Sequence, residues 1–269
     1  MVTGVQTCAL PISSQLHFFF AADGEWCQAN VLPLLAWDKP ERARRTWDGF
    51  LSWGRSTDQL LDAGLLSDYL DTTAHVGLFE DEMRRQLAQH LAAVAVLSEI
   101  DPLSWVTEFT RLAPEDFRVD WVNQVGWTLG QLDPDVCVQQ WRRWMRAYWE
   151  RRVASLPMRL TLEEASALAG WVEYLGDATA EAVDLAVAVP AGLAPHGRLL
   201  HKMREQVGRA PAAYALLLGH LLSHTNRPFW GCDDLNGIVA ELRGRTDDLD
   251  TRRIREQALR LGCRGAADW

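Results

Sequence analysis

PDVCVQQWRRWMRAYWERRVASLPMRLTLEEASALAGWVEYL, residues 134 to 175, reads as two helices and a hinge, and the chain on either side reads as packing around them. In the first helix Cys137, Trp141, Trp144, Met145, Tyr148 and Trp149 fall within an arc of roughly 140° at about 100° per residue, while Arg142, Arg143, Arg146 and Glu150 take the other side. One face is core and the other meets water. Pro157 stops that helix, and Thr161 with Glu164 three residues on forms a capping box that opens the next. The second helix then carries Ala165, Leu168, Trp171, Val172 and Leu175 inward.

Outward from this pair the pattern is helix after helix. Pro40 opens a helix whose Ala43, Trp47, Phe50 and Leu51 share a face, with Trp53 just before Gly54. Thr57 or Ser56 caps the next, which is expected to break near Gly64, and Leu78 to Leu97 follows as a long helix led by Glu80, Asp81 and Glu82. Asp101 and Pro114 start two more. After the organising pair come helices over 178–189, 197–207, 211–224, 233–243 and 250–261; the run YALLLGHLL in the third is apolar nearly all round and is expected to be central. No alternating pattern bounded by hairpin turns occurs, so the predicted class is all-α, drawn as an irregular helical-repeat-like array of antiparallel helices, with a compact multi-helix domain as the alternative.

Composition narrows the function classes. With 48% hydrophobic and 23% charged residues the chain is ordinary for a globular protein, and a net charge of -9 argues against general nucleic-acid affinity. Thirteen Trp stand against four Tyr; they recur beside other apolar residues at helical spacing, which favours inter-helix packing over a ligand cage or a base-stacking surface. Five Cys, none in a CxxC pair, fit a reducing cytoplasm better than a disulfide scaffold or a zinc site. No apolar run of about 18 residues occurs, so no membrane span is expected.

Val2 to Ile12, VTGVQTCALPI, matches the translation of a sequencing adapter residue for residue. Residues 1–12 are therefore expected to be an artefact without a structural role, Cys8 leaves the cysteine count, and residues 13–269 are expected to form a single all-α domain from the C-terminal part of a longer protein. A signal peptide is the rival, but the apolar run is short and no basic residue precedes it.

The search for chemistry returns near misses. His220 and His224 share a helix face at a metal-pair spacing, yet no third ligand or HExxH glutamate accompanies them; His196 and His201 diverge. Asp233, Asp234, Asn236 and Glu241 lack the alternation of a calcium loop and read as a helix N-terminus. Arg142, Arg143, Arg146, Arg151 and Arg152 form the densest basic cluster; with Trp149 they could grip a phosphate or stack on a base, against the plainer reading of a solvated face. Glu163, Glu164 and Glu173 read as caps and surface. Phosphate loops, dinucleotide fingerprints and nucleophile elbows are missing, so no catalytic, cofactor-binding or metal residue is nominated. The candidate interaction surface is Arg142, Arg143, Arg146 and Trp149.

The string W-x2-WM-x2-YW from Trp141, followed by LP, LT-x-EEA and GW-x2-YL, resembles a bacterial helical domain family with no assigned activity, and LAWDKPERARRTWDGFLSWGR at Leu35 to Arg55 is similar to its preceding segment. The resemblance covers nearly everything after residue 12. It implies a C-terminal domain of long proteins whose N-terminal part is sirtuin-like and handles NAD, associated with defence against phage. No catalytic residue carries over. What it implies for this chain is a non-catalytic regulatory or interaction module in the cytoplasm, with the sirtuin-like effector domain as partner, a phage or nucleic-acid trigger, and oligomerisation left open. A self-contained enzyme of unfamiliar type and a nucleic-acid-binding helical repeat protein are the competing classes.

Overall fold

A computed structural model describes residues 9–193, 198–226 and 231–269. Among the described residues the protein is all-α, with no strand, and no helix is long and apolar enough to cross a membrane. Two compact units divide it, Met1–Thr128 and Leu129–Trp269.

The first unit runs through α1 (Ala9–Ser14), α2 (Leu16–Ala22), α3 (Gly24–Asn30), α4 (Pro40–Trp53), the single turn α5 (Asp58–Leu60), α6 (Leu66–Ala74), α7 (Asp81–Leu97), α8 (Val106–Leu112) and most of α9 (Glu115–Leu129). Residues 1–8 of the adapter-like segment lie outside the described residues, while Ala9 to Ile12 begin α1, which lies against α4. Pro40 takes the first position of α4, and Ala43, Trp47, Phe50 and Leu51 are buried as their shared face predicts. Trp47 meets Tyr69 at 5.2 Å and Phe50 at 5.8 Å between ring centroids, and its indole N–H donates to the Leu35 carbonyl. Thr57 caps α5 by accepting from the Leu60 N–H. Gly64, at φ 130°, breaks α5 from α6 where the sequence placed the break, since no side chain with a Cβ sits easily there. The helix expected from Leu78 starts at Asp81 instead: Val76–Leu78 is a separate 3-10 turn and Phe79 is extended.

The second unit contains α10 (Pro134–Gln140), a wide π turn at Trp141–Met145, α11 (Arg146–Val153), α12 (Leu162–Ala169), α13 (Thr179–Val187), α14 (Arg198–Gln206), α15 (Pro211–His224), α16 (Cys232–Leu242) and α17 (Asp248–Arg260). All six residues of the predicted inward arc are at most 2% exposed. Trp171 is the hub. Its ring lies 5.9 Å from Trp144 and 5.9 Å from Trp149, edge to face in both cases, and Trp141 meets Trp149 at 6.0 Å. Edge-to-face packing aims positive ring edges at negative faces, adding to the area these large side chains bury. The second helix of the pair is shorter than expected, because α12 ends at Ala169 and a 3-10 turn at Gly170–Tyr174 carries Trp171 and Val172 inward. α15 is buried on most sides, between α13 and α17, as its apolar run predicts.

Across the hinge the charge assignment is corrected. Arg152 and Glu164, expected on the surface, are both fully buried. The Arg152 guanidinium donates to Glu164 through Nε at 2.7 Å and Nη2 at 3.1 Å, and also to the carbonyls of Leu156, Met158 and Arg159. Thr161 caps α12 through the Glu164 N–H, as the capping box requires, but the Glu164 carboxylate serves the arginine. Glu173 is also buried rather than on the surface, and the expectation of unpaired cysteines fails for Cys232 and Cys263, which form a disulfide; Cys27 and Cys137 are free and buried.

Candidate functional site

The arginine face predicted from sequence is only partly assembled. Arg142 and Arg146 are exposed and Arg143 is half-buried, but Arg146 is already held by Glu150 at 2.9 Å and Glu181 at 3.0 Å. Trp149 is 1% exposed and belongs to the core, so it cannot offer a stacking surface beside them. The packing interpretation holds for Trp37, Trp47, Trp105, Trp121, Trp141, Trp144, Trp149 and Trp171, which are buried, while Trp26, Trp53 and Trp127 are exposed.

The histidines are occupied locally. His220 donates through Nε2 to the Val189 carbonyl at 2.9 Å, and His224 uses Nδ1 within its own helix turn. Their ring centroids lie 4.4 Å apart, with the planes tilted by 45°. Among the described residues no group of His, Cys, Asp or Glu is arranged to hold a metal. His196 lies outside the described residues. His201 sits between Glu205 and Asp234 on the surface. Asp233 and Asp234 occupy the first turn of α16, as a helix N-terminus would use them.

A site that sequence reasoning missed lies in the first unit, where the end of α4 faces α7. A cavity of about 570 Å³ opens there, floored by Leu61, Ala93 and Val94. Trp53 (79% exposed) and Leu97 (60% exposed) flank its mouth. Gly54 makes this geometry possible: a Cβ there would come within 2.4 Å of the Phe50 ring and 2.5 Å of its carbonyl oxygen. The chain therefore turns tightly over Phe50 and delivers Ser56 to the cavity wall.

Behind that wall runs a hydrogen-bonded chain. Ser56 Oγ lies 2.9 Å from the Tyr69 hydroxyl, which lies 2.8 Å from His90 Nδ1. The Leu51 carbonyl accepts a hydrogen bond from the His90 ring. Nδ1 faces Tyr69, so Nε2 carries that proton and Nδ1 accepts from Tyr69; the Tyr69 oxygen in turn accepts from Ser56. Burial pushes His90 down to about 4, and the Tyr69 hydroxyl, also buried, is pushed well above the usual tyrosine range. Neither group is a useful base near neutral pH, so Ser56 is positioned without being activated as a nucleophile. The arrangement presents hydroxyl and imidazole groups at the cavity wall as hydrogen-bonding partners for a ligand.

The buried imidazole also makes stability depend on pH. His90 stays neutral in the fold down to about 4 against an ordinary 6.5, so the unfolded chain takes up the proton first as pH falls. Its contribution is complete above about pH 6.5 and is lost toward pH 4, by about 3 kcal/mol. Asp68 opposes it: burial first, then Asp71, raise its carboxyl from 3.8 to about 6, so stability is regained as pH falls through that range. Urea denaturation of Asp68→Asn should therefore show a steeper loss of stability between pH 6.5 and 4.5 than the parent, and adding His90→Gln should flatten it. An unchanged slope on adding His90→Gln would exclude the buried neutral imidazole.

Comparison with family models, with curated proteins and with solved structures finds no match for the chain.

Proposed function

We propose that the chain is a non-catalytic helical interaction module that seats an apolar side chain of a protein partner in the cavity between the end of α4 and α7. The carrying observation is Trp53, a large aromatic left 79% exposed at the rim of an apolar-floored cavity. Exposed Trp beside a well-formed pocket is the residue type that dominates binding energy at protein interfaces. The inward orientation of the Ser56, Tyr69 and His90 hydrogen bonds supports recognition over reaction, since Ser56 is bonded to a tyrosine hydroxyl and not directly to a base. In the bacterial defence setting that the sequence resemblance implies, the NAD chemistry belongs to a sirtuin-like N-terminal domain. This module would restrain that domain or report the trigger to it.

Two measurements test the proposal. Trp53→Ala should leave the melting temperature of the chain unchanged within about 2 °C, because an exposed side chain contributes little to folding. The purified chain incubated with NAD should release nicotinamide no faster than buffer. Turnover that a substitution within this chain abolishes would replace the module with an enzyme.

A further inference from the structure

A second cavity, of about 400 Å³, lies in the other unit between the end of α16 and the outer face of α17. Arg243, Arg252 and Arg255 converge on it, with Asp248, Thr251 and Trp269 completing the polar and aromatic lining. Among the described residues none of the three arginines makes an ion pair with a carboxylate. Arg255 donates to the Ala267 carbonyl at 2.6 Å and Arg243 to the Asp268 carbonyl at 3.4 Å, bonds that fix a guanidinium in place without neutralising it. The Thr251 hydroxyl donates to the Asp248 carbonyl. Among the side chains of the lining, three guanidiniums face one carboxylate, Asp248, in a chain whose net charge is -9. Nearby arginines differ: Arg245, in the turn between the two helices, is paired with Glu241, and Arg260 at the end of α17 is spent on the carbonyls that end α15.

We propose that this cavity binds a polyphosphate group. Three guanidiniums offer planar forks of N–H donors matched to phosphate oxygens, and their excess charge suits a multiply charged anion better than a single carboxylate. Trp269 adds a flat apolar surface whose orientation is fixed, because its indole N–H donates to Asn236 Oδ1 at 2.7 Å. A nucleoside diphosphate can place its ring against that indole, while inorganic pyrophosphate uses the arginines alone. This inference is independent of the cavity beside α4 and would survive failure of the partner proposal.

The test is calorimetric titration of the full chain with pyrophosphate and, separately, with ADP, at fixed ionic strength and with sulfate as the competing simple anion. Saturable binding is expected for at least one probe, well above that of sulfate. Arg252→Gln, at an exposed position that should not disturb folding, should weaken binding about tenfold through loss of one charge-assisted contact. Arg85→Gln, in the other unit, should change nothing. Trp269→Ala separates the two sources of phosphate: it weakens ADP alone if a nucleotide is the natural occupant, and neither probe if inorganic polyphosphate is. Lack of saturable binding by both probes, binding no tighter than sulfate, or affinity unaltered by both Arg252→Gln and Arg255→Gln overturns the proposal.

Discussion

Replacing Arg152 by Met should destabilise the second unit by about 3 to 5 kcal/mol, the range found when one partner of a buried ion pair is removed. The side chain is fully buried, so its loss leaves the Glu164 carboxylate in the interior without the guanidinium that faces it at 2.7 and 3.1 Å. The same substitution removes donors from the carbonyls of Leu156, Met158 and Arg159, which form the irregular connection between α11 and α12. One cation thus satisfies a whole hinge whose backbone lacks helical partners. Glu164→Gln should cost less, because an amide can still accept from Arg152. The double variant Arg152→Met with Glu164→Leu should recover part of the loss by removing the orphaned charge, but the hinge carbonyls keep it below the parent. Urea denaturation followed by tryptophan fluorescence reads all three. A single Arg152→Met variant as stable as the parent would show that the hinge is held by something else.

Trp171→Ala should cost a similar amount, about 3 to 5 kcal/mol, by leaving a cavity at the centre of an aromatic cluster. The side chain is 1% exposed and touches the rings of Trp144, Tyr148 and Trp149. Those neighbours come from the turn and helix before the hinge, so they cannot easily collapse into the space without moving that element. Trp171→Phe should lose less, since a smaller ring still fills part of the site. Arg142→Ala, on the outward face of the same turn, serves as the control and should stay within about 0.5 kcal/mol of the parent. Equal stability of Trp171→Ala and Arg142→Ala would reverse the inside-out assignment.

How much of this was legible follows from the range of the interactions involved. The Trp arc, the Pro40 start, the Thr161 cap and the Gly64 break are local, and each could be read from spacing alone. Arg152 and Glu164 show local rules in conflict. Arg152 lies four residues after Tyr148 and seven after Met145, and Glu164 lies four before Leu168 and seven before Trp171, so position put both on the buried stripe. Charge argued for water, and charge was followed. Two opposite charges on facing apolar stripes were the missed signal, since each supplies what the other needs for burial. The Ser56, Tyr69 and His90 chain was harder to see, because its members come from three elements and no spacing rule joins them. The polar contact at its centre links residues 21 apart. Trp53 followed by Gly54 was visible, but exposure of that indole depends on how α4 meets α7. The same holds for Trp149, which the sequence placed both in the core arc and on the candidate surface; packing against Trp171 decides for the core.

The Cys232–Cys263 bond has a consequence for handling the protein at the bench. It links residues 31 apart and encloses the exposed turn between α16 and α17, where Arg243 and Arg245 offer cleavage sites to trypsin-like proteases. A cut there leaves two fragments covalently joined, so a nicked preparation should migrate as an intact band on a non-reducing gel and separate only after reduction. A sample judged whole by the first gel alone can therefore already carry a broken chain beside Arg243, one of the three arginines of the proposed phosphate cavity.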